Sequence, residues 1–254
     1  MTVIDERAFA DARARVLSEN TLLMGVGRLS EKSLHRILKF YFEPDEANHE
    51  VAYLGSIADI KNGDGIIEIQ TAGFDRLVPK LKKFLPTVPV AIVHPIVMEK
   101  CVFWFDKDSG ELSKQKAGGK RGRITDVLAE LYKIRELIPS DNLTVRLVLI
   151  SAEEFKALDG YGKYKKMRAT KIDRIPNKIL EIIDLKTKDD YKRLIPEGLC
   201  GEFLAKDFDK STGLRKRNAY YALKFLVDIG LIERCGSSGR AFVYKLAEEM
   251  AYEN

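Results

Sequence analysis

The sequence predicts an α/β protein whose mixed β-sheet is flanked by helices and followed by a smaller C-terminal domain. Up to about Ser151, short apolar runs that suit buried strands alternate with amphipathic stretches of helical period. From about Leu185 the pattern changes to short helices and a β-hairpin. With 254 residues, of which 45% are hydrophobic, the chain is long enough for one large domain or two small ones.

The first elements predicted are two helices and a group of antiparallel strands. Residues 4–18 have a helical pattern, and Ser30 is a candidate N-cap for a second helix, "EKSLHRILKFYF", which Pro44 ends. Two strand-like runs follow, "EVAYLGSIADI" and "GIIEIQT". The next run, "FDRLVPKLKKFL", predicts an amphipathic helix that Pro79 kinks.

The next elements complete the predicted sheet. "VPVAIVHPI" is nearly all apolar, as expected of a strand covered on both faces. "KCVFWFD" and the residues after "KDSG" predict a hairpin. Residues 124–138 predict a strong helix, and "LTVRLVLI" predicts a last buried strand. Residues 156–178 are basic and poor in apolar residues, which indicates an ordered loop or a linker.

The C-terminal segment has the element order of a winged helix. "GLCGEFLAKDF" predicts a short helix, a turn follows, and residues 215–229 predict a second helix. "LIERCGSSGRAFVYKL" predicts two strands around a Gly-Ser tip. The alternative is a generic α+β cap domain. The resulting division is a first domain at 1–155, a basic linker at 156–185 and a winged-helix domain at 186–254.

Composition excludes several classes of protein. No apolar run reaches the roughly 18 residues of a membrane helix, and the charged N-terminus does not resemble a secretory signal. The three cysteines lie far apart, which favours reduced thiols in the cytoplasm. The three histidines lack the spacing of a metal site, so we expect any metal to be held mainly by oxygen.

Clusters of basic residues indicate a partner that carries phosphate. The net charge is only +5, but Lys and Arg concentrate at 114–123, 156–178 and 210–217. Clustered cations gain affinity for nucleic acid by displacing its counterions. We therefore predict DNA as the partner. The candidate contacts are Lys120, Arg121 and Arg123 in the first cluster, Arg215, Lys216 and Arg217 at a helix start, and Arg240 beside the wing tip.

A pair of carboxylates on the predicted hairpin indicates a metal site. A loop at Asn62–Gly65 would pair Lys61 with Ile66, so that Asp59 faces Glu68 on the face that also carries Gln70. Adjacent carboxylates repel each other, and Mg²⁺ or Mn²⁺ would relieve the repulsion. The alternatives are that Asp59 is a turn former and that the other two lie on a solvated strand face.

Residues 25–150 resemble the PD-(D/E)xK (restriction endonuclease-like) nuclease superfamily in element order. The resemblance depends on Glu31 at the start of a helix, Asp59 on a hairpin, Glu68 and Gln70 in "EIQ", and the helix that follows. It implies that Asp59 and Glu68 hold the metal, that Glu31 is a secondary ligand and that Gln70 positions water. Gln70 departs from the family, which usually has lysine there.

These observations predict a cytoplasmic Mg²⁺-dependent DNA endonuclease, or a nuclease-like DNA-processing protein, with no membrane association. The alternative is a non-catalytic, DNA-binding transcriptional regulator on a degenerate nuclease fold, which the missing lysine favours. A third hypothesis is a protein-interaction module, because some winged helices bind proteins. The sequence leaves substrate form, sequence preference and oligomeric state open, a homodimer included.

Overall fold

The protein is described by a computed structural model that covers residues 3–23, 33–106, 112–115, 121–161 and 167–247. It is an α+β protein with a seven-stranded mixed sheet flanked by helices, and a second sheet of three strands. The predicted fold class is confirmed. Within the described residues, no helix has both the length and the apolar character needed to span a bilayer.

The helices are α1 (Glu6–Leu23), α2 (Ser33–Phe42), α3 (Val78–Phe84), α4 (Leu128–Leu131), α5 (Lys188–Lys192), α6 (Ala205–Thr212) and α7 (Lys216–Asp228). The strands are β1 (His49–Tyr53), β2 (Ser56–Asn62), β3 (Gly65–Ile69), β4 (Val90–Asp106), β5 (Leu112–Gln115), β6 (Leu143–Tyr161), β7 (Met167–Leu185), β8 (Phe203–Leu204), β9 (Ile232–Ser238) and β10 (Ala241–Leu246).

The large sheet has the strand order β1-β2-β3-β4-β6-β7, and β5 pairs with β4. The pairs β1–β2, β2–β3 and β4–β5 are antiparallel. Leu54 and Gly55, with φ of 46° and 70°, form the turn between β1 and β2. Positive φ at both central residues is what a two-residue hairpin turn with the natural strand twist requires.

Contacts between Cα atoms divide the chain into two compact units. The first contains residues 1–69, 93–122 and 147–183, and the second contains 70–92, 123–146 and 184–254. These units are defined by proximity, whereas the boundaries predicted at 155 and 186 separate domains that would fold on their own. Those boundaries stay a prediction.

The core of the first unit lies between the helices α1 and α2 and the large sheet. Ile37 and Leu38 of α2 are fully buried there with Val148 and Ile150 of β6. Leu34, Ile37 and Leu38 recur at helical spacing, so one face of α2 is apolar and turns toward the sheet. This packing places the N-terminal half of α2, including His35, close to β3.

The second unit packs α7 against α4 and carries the small sheet, with strand order β8-β10-β9. Tyr132 follows α4 and Tyr221 lies on α7, and their rings stack with centroids 4.9 Å apart. Tyr191 of α5 meets Phe225 of α7 edge to face at 5.9 Å. Since Tyr221 and Phe225 are one helical turn apart, aromatic contacts anchor one face of α7 within its unit.

The structure corrects the prediction of a loop or linker at 156–178. On the described residues these are strands β6 and β7, and β7 is the last strand in the sheet order. An edge strand carries charged side chains without loss of stability, because one side of its ladder faces no partner strand. Ile175, Ile179 and Ile182 supply the apolar contacts of β7 to the core.

Three smaller differences concern helices. Residues 124–134 form a 3₁₀ turn, α4 and a second 3₁₀ turn in succession, where one helix over 124–138 was predicted. Pro79 does not kink a helix; it lies in the first turn of α3, where its missing amide costs no hydrogen bond. The short C-terminal helix predicted in "GLCGEFLAKDF" is α6, displaced to 205–212 and preceded by β8.

Candidate functional site

The β2–β3 hairpin has the predicted register. Lys61 pairs with Ile66 and Ile60 pairs with Ile67, while Asn62 pairs with Gly65 across a two-residue turn. The side chain of Asn62 accepts a hydrogen bond from the amide of Asp64 at 3.0 Å, which closes the turn locally. Asp59 and Glu68 lie one position beyond these pairs, so their position on one side of the hairpin stays a prediction.

Asp59, the residue before Ile60, accepts a hydrogen bond from the backbone of β3 through its side-chain carboxylate. Oδ2 of Asp59 accepts the Ile69 amide at 2.8 Å. His35 of α2 reaches the same place, since its Nε2 lies 3.2 Å from Asp59 Oδ2 and 3.1 Å from the Ile69 carbonyl oxygen. We call His35, Asp59 and Ile69 the hairpin centre.

Glu68 is almost completely buried, with a relative exposure of 2%. Ile66 lies on the same face of the strand and is also 2% exposed. The alternative of a solvated strand face at Glu68 is therefore wrong. Asp59 lies inside β2, not in a turn, which removes the other alternative. A carboxylate at this depth is tolerated only with strong compensating interactions, and such groups concentrate at functional sites.

Gln70 is engaged in the turn that leads to α3. Its Nε2 donates to the carbonyl oxygens of Ala72 at 2.5 Å and Gly73 at 3.3 Å. Glu130, which sequence reasoning missed, closes the same turn by accepting the amides of Gly73 and Phe74 at 2.8 and 2.9 Å. The amide nitrogen of Gln70 thus has a structural task, and its predicted role as a water-positioner remains a prediction.

Two predicted site residues, Glu31 and Lys120, lie outside the described residues. His35 lies one turn after Glu31 in the sequence, a spacing that allows it to reach the site, although a position on the helix face was the favoured interpretation. Only the packing of α2 beside β3 places its ring at the hairpin.

The donor atoms of the hairpin centre lie at hydrogen-bond distances that also match the spacing of ligands around a divalent cation. Neighbouring ligands of an octahedral ion with bonds of 2.0–2.1 Å are about 3 Å apart, close to the 3.1 and 3.2 Å that separate Nε2 from the two oxygens. Among the described side chains, no group of three or more His, Cys, Asp or Glu is arranged around a metal position. The centre has two such side chains and completes its set with a backbone carbonyl.

The start of α7 presents the predicted basic residues to solvent. Arg215 is the N-cap residue, and Arg215, Lys216 and Arg217 are all exposed. The guanidinium of Arg217 lies over the ring of Tyr221 at 5.6 Å, and its Nε donates to the Tyr221 hydroxyl at 3.4 Å. These contacts stiffen the arginine beside the helix N-terminus, whose amides also attract anions.

In the β9–β10 hairpin, β9 is exposed after Ile232, whereas β10 is exposed only at Ala241 and Phe242 near the tip. Gly239, with φ of 61°, and Arg240 form its tip, so Arg240 lies where it was predicted. Farther down, the guanidinium of Arg234 lies 3.3 Å above the ring of Phe242, which is itself 46% exposed. The hairpin therefore offers two cations and an aromatic ring to a partner.

Gly122, shortly before residue 124, approaches a strand closely. The amide of Gly122 donates to the Val97 carbonyl of β4 at 2.8 Å, and a Cβ at this position would lie 2.7 Å from that oxygen. Arg121 is exposed, while Arg123 donates to the Thr212 carbonyl at the end of α6. The glycine thus serves packing, and Arg123 has a structural contact besides its predicted DNA contact.

A second charged cluster, which the sequence did not reveal, lies on β4, β6 and β7. Glu154, whose side chain is 5% exposed, binds Arg174 at 2.6 Å, Lys156 at 3.3 Å and Lys100 at 3.6 Å. Burial alone would raise the pKa of Glu154. The hydrogen bond and charge of Arg174, with the charge of Lys100, outweigh it and lower this pKa to about 2.

Comparison with known proteins identifies relatives but no activity. The family model described as "Domain of unknown function (DUF8091)" matches residues 32–186, a range that contains the hairpin centre and ends before α6 and α7. An uncharacterized protein of Treponema pallidum (strain Nichols) is 32% identical over 235 residues, which cover 87% of this chain and 88% of the relative. No solved structure matches the chain at a significant level. The extent of both matches shows that the chain belongs to the DUF8091 family.

Proposed function

We propose that this protein binds duplex DNA through α7 and the β9–β10 hairpin. The observation that carries the proposal is the exposed basic start of α7 beside a projecting hairpin that also carries arginines. The order β8, α6, α7, β9, β10, with β10 between β8 and β9, supports the winged-helix arrangement predicted from the sequence. In that arrangement the second helix enters a major groove and the hairpin touches the adjacent backbone.

The two faces of α7 have separate tasks. Ala219, Ala222, Leu223, Phe225 and Leu226 are buried and hold the helix in its unit. Arg215, Lys216, Arg217, Asn218 and Tyr220 are exposed, and Tyr220 is 61% exposed. The exposed set is cationic and rich in hydrogen-bond donors, which is the composition that phosphate and base edges require.

The proposal is tested by replacing Arg215, Lys216 and Arg217 with glutamine and measuring DNA affinity against salt concentration. If each cation meets one phosphate, the slope of log K against log salt flattens by about 2–3 units. The matched control replaces Arg76, Lys82 and Lys83 with glutamine, which removes the same charge from exposed positions in and beside α3. Equal slopes in the two triple variants would reject DNA binding at α7 and favour a protein partner.

A second activity, metal-dependent cleavage of the bound DNA, is favoured by the hairpin centre and the buried Glu68. The order α2, β1, β2, β3, α3, β4 is the one that the PD-(D/E)xK resemblance implies. Asp59 and Glu68 would hold Mg²⁺ or Mn²⁺ with the Ile69 carbonyl. Such an ion lowers the pKa of bound water and stabilises negative charge on the scissile phosphate. The Ile69 amide orients the Asp59 carboxylate for this task.

The competing proposal is a non-catalytic DNA-binding regulator built on the same fold. Its support is Gln70, which stands where the nuclease family usually has lysine and whose nitrogen is bonded to the turn. Cleavage of plasmid, linear and single-stranded DNA in the presence of Mg²⁺ or Mn²⁺ separates the two. Divalent-dependent cleavage that Asp59→Asn abolishes supports the nuclease, while DNA binding without cleavage supports the regulator.

We also place the protein in the cytoplasm. Cys101, Cys200 and Cys235 are all free thiols, and the last two are exposed. Exposed free thiols persist in a reducing compartment, which supports this placement.

A further inference from the structure

We propose that His35 is a direct metal ligand and that the hairpin centre prefers Mn²⁺ or a similar transition ion to Mg²⁺. The inference rests on the proposed metal site but goes beyond it. The resemblance implies only carboxylate ligands, Asp59 and Glu68 with Glu31 as a secondary ligand. A nitrogen ligand changes which ion the site selects.

The first argument is the position of the imidazole nitrogen. Nε2 of His35 is 3.1 Å from the Ile69 carbonyl oxygen and 3.2 Å from Asp59 Oδ2. An ion that binds those two oxygens at octahedral distances has its next ligand positions about 3 Å from each of them. The distances of Nε2 from both oxygens, which are also those of hydrogen bonds, are thus compatible with a third ligand of the same ion.

The second argument is that each oxygen can accept more than one interaction. A carboxylate has about four lone-pair sites. Oδ2 of Asp59 can thus accept the Ile69 amide at 2.8 Å and still face the imidazole. The carbonyl oxygen of Ile69 likewise has two lone pairs. The Ile69 amide restrains the carboxylate, so little reorganisation accompanies binding.

The third argument is that His35 is held by a rigid element but remains accessible. Leu34, Ile37 and Leu38 on the same helix are at most 4% exposed, which restrains the backbone of α2 against the sheet. The side chains of His35 and Asp59 are 24% and 18% exposed. The centre thus combines a packed scaffold with a path by which an ion and water reach the donor atoms.

The selectivity follows from ligand chemistry. Carboxylates, carbonyls and water suit Mg²⁺, whereas imidazole suits zinc, copper, iron and nickel, and affinity at a mixed site rises along the first transition row. One imidazole beside hard oxygens therefore shifts preference away from Mg²⁺. Mn²⁺ is the probe of choice, because it accepts both ligand types and is paramagnetic.

The experiment is pulsed EPR of Mn²⁺ bound to the full-length protein, which detects nitrogen bonded to the metal. We expect a ¹⁴N coupling in the wild type that changes to ¹⁵N when histidine is isotopically labelled. His35→Gln should lose the coupling and lower the ratio of Mn²⁺ to Mg²⁺ affinity by about tenfold, as measured by calorimetry. His49→Gln and His94→Gln, which replace the other two histidines, should retain it.

The outcomes separate this inference from the proposed function. Mn²⁺ that binds and is lost in Asp59→Asn, but shows no histidine nitrogen in labelled wild type, overturns the role of His35 and leaves the metal site intact. Absence of Mn²⁺ binding in the wild type overturns both. The labelled wild type makes the result independent of whether His35→Gln folds, and a coupling that persists in a folded His35→Gln also overturns the assignment.

Discussion

The hairpin centre and the start of α7 use charge in opposite ways. At the hairpin centre, the side chains of His35 and Asp59 are no more than 24% exposed, and Glu68, next to Ile69 in β3, is 2% exposed. On α7, Arg215, Lys216 and Arg217 are exposed to solvent. Partly buried polar groups interact strongly and directionally because the local dielectric is low, whereas exposed cations are screened and act together over a distance.

This difference indicates a division of labour between the two regions. A partly buried donor set can hold one ion or one proton in a defined position, which chemistry requires. An exposed basic helix attracts any phosphate backbone and positions it without a fixed reaction geometry. The predictions below test whether the division is real, beginning with the largest expected effect.

Replacing Asp59 with asparagine and Glu68 with glutamine should abolish divalent-dependent cleavage, by about a thousandfold or more, because the ion loses its charged ligands. DNA affinity should be unchanged, since α7 carries it. Plasmid-cleavage rates and fluorescence anisotropy measure the two effects. Asp64→Asn, at the exposed tip of the same hairpin, is the control. If the Asp59 and Glu68 replacements reduced DNA affinity as much as cleavage, the two regions would not have separate tasks.

The contribution of buried charge can be tested without a ligand at Glu154. Its pKa falls from about 4.5 to about 2 on folding, so its contribution is complete above the unfolded value and is lost as pH falls toward 2. Glu154→Gln should therefore lower the free energy of unfolding at pH 7 by up to about 3 kcal/mol.

Urea denaturation of wild type and Glu154→Gln at pH 7, 5 and 3 checks this prediction. The difference between them should stay constant from pH 7 to about 5 and shrink below that. Glu153→Gln, on the opposite face of β6, is the matched control. A difference that does not depend on pH would show that Glu154 stabilises the sheet by packing alone.

Gln70→Lys should leave cleavage intact or raise it by up to about tenfold, if Gln70 occupies the family lysine position, because an ammonium group stabilises developing negative charge. Lysine retains donors for the Ala72 and Gly73 carbonyls, so the turn into α3 should survive. Single-turnover cleavage rates report the first effect and thermal unfolding the second. Loss of metal binding in this variant would show that position 70 belongs to a different part of the site.

The smallest effect is expected from Lys120→Ala combined with Arg121→Ala. If the loop contacts the DNA backbone, cleavage at subsaturating substrate should fall by about threefold, and the salt slope should flatten by up to about 2 units. Mn²⁺ affinity should not change, which distinguishes the loop from the hairpin centre. A double variant that cleaves at the wild-type rate would remove the loop from the interface.

Local sequence signals were sufficient for the elements that they encode directly. The residues Asn62–Gly65 and the flanking isoleucines determined the hairpin register, with Lys61 opposite Ile66 and Ile60 opposite Ile67 as predicted. The apolar spacing of 219–226 determined α7 and its exposed basic start. Both signals act within a few residues, through turn chemistry or helical period.

Amino-acid composition gave the wrong secondary structure for a segment whose conformation depends on its position in the sheet. Residues 156–178 were predicted to be a loop because they are basic, yet β7 is a strand at the edge of the sheet, where charge is tolerated. His35 was expected to be a residue of the helix face, and the contact of its ring with Asp59 depends on how α2 packs beside β3.

The sequence by itself determined the fold class, the hairpin that carries the carboxylates and the basic helix. Only the tertiary structure decided that His35 reaches Asp59, that Glu130 closes the turn after Gln70, and that Glu154 gathers three cations. These partners are 20 or more residues apart in most cases, and their meeting depends on strand order and helix packing. Periodicity states which face of an element is apolar, but it carries no information on which other element that face or its neighbour will touch.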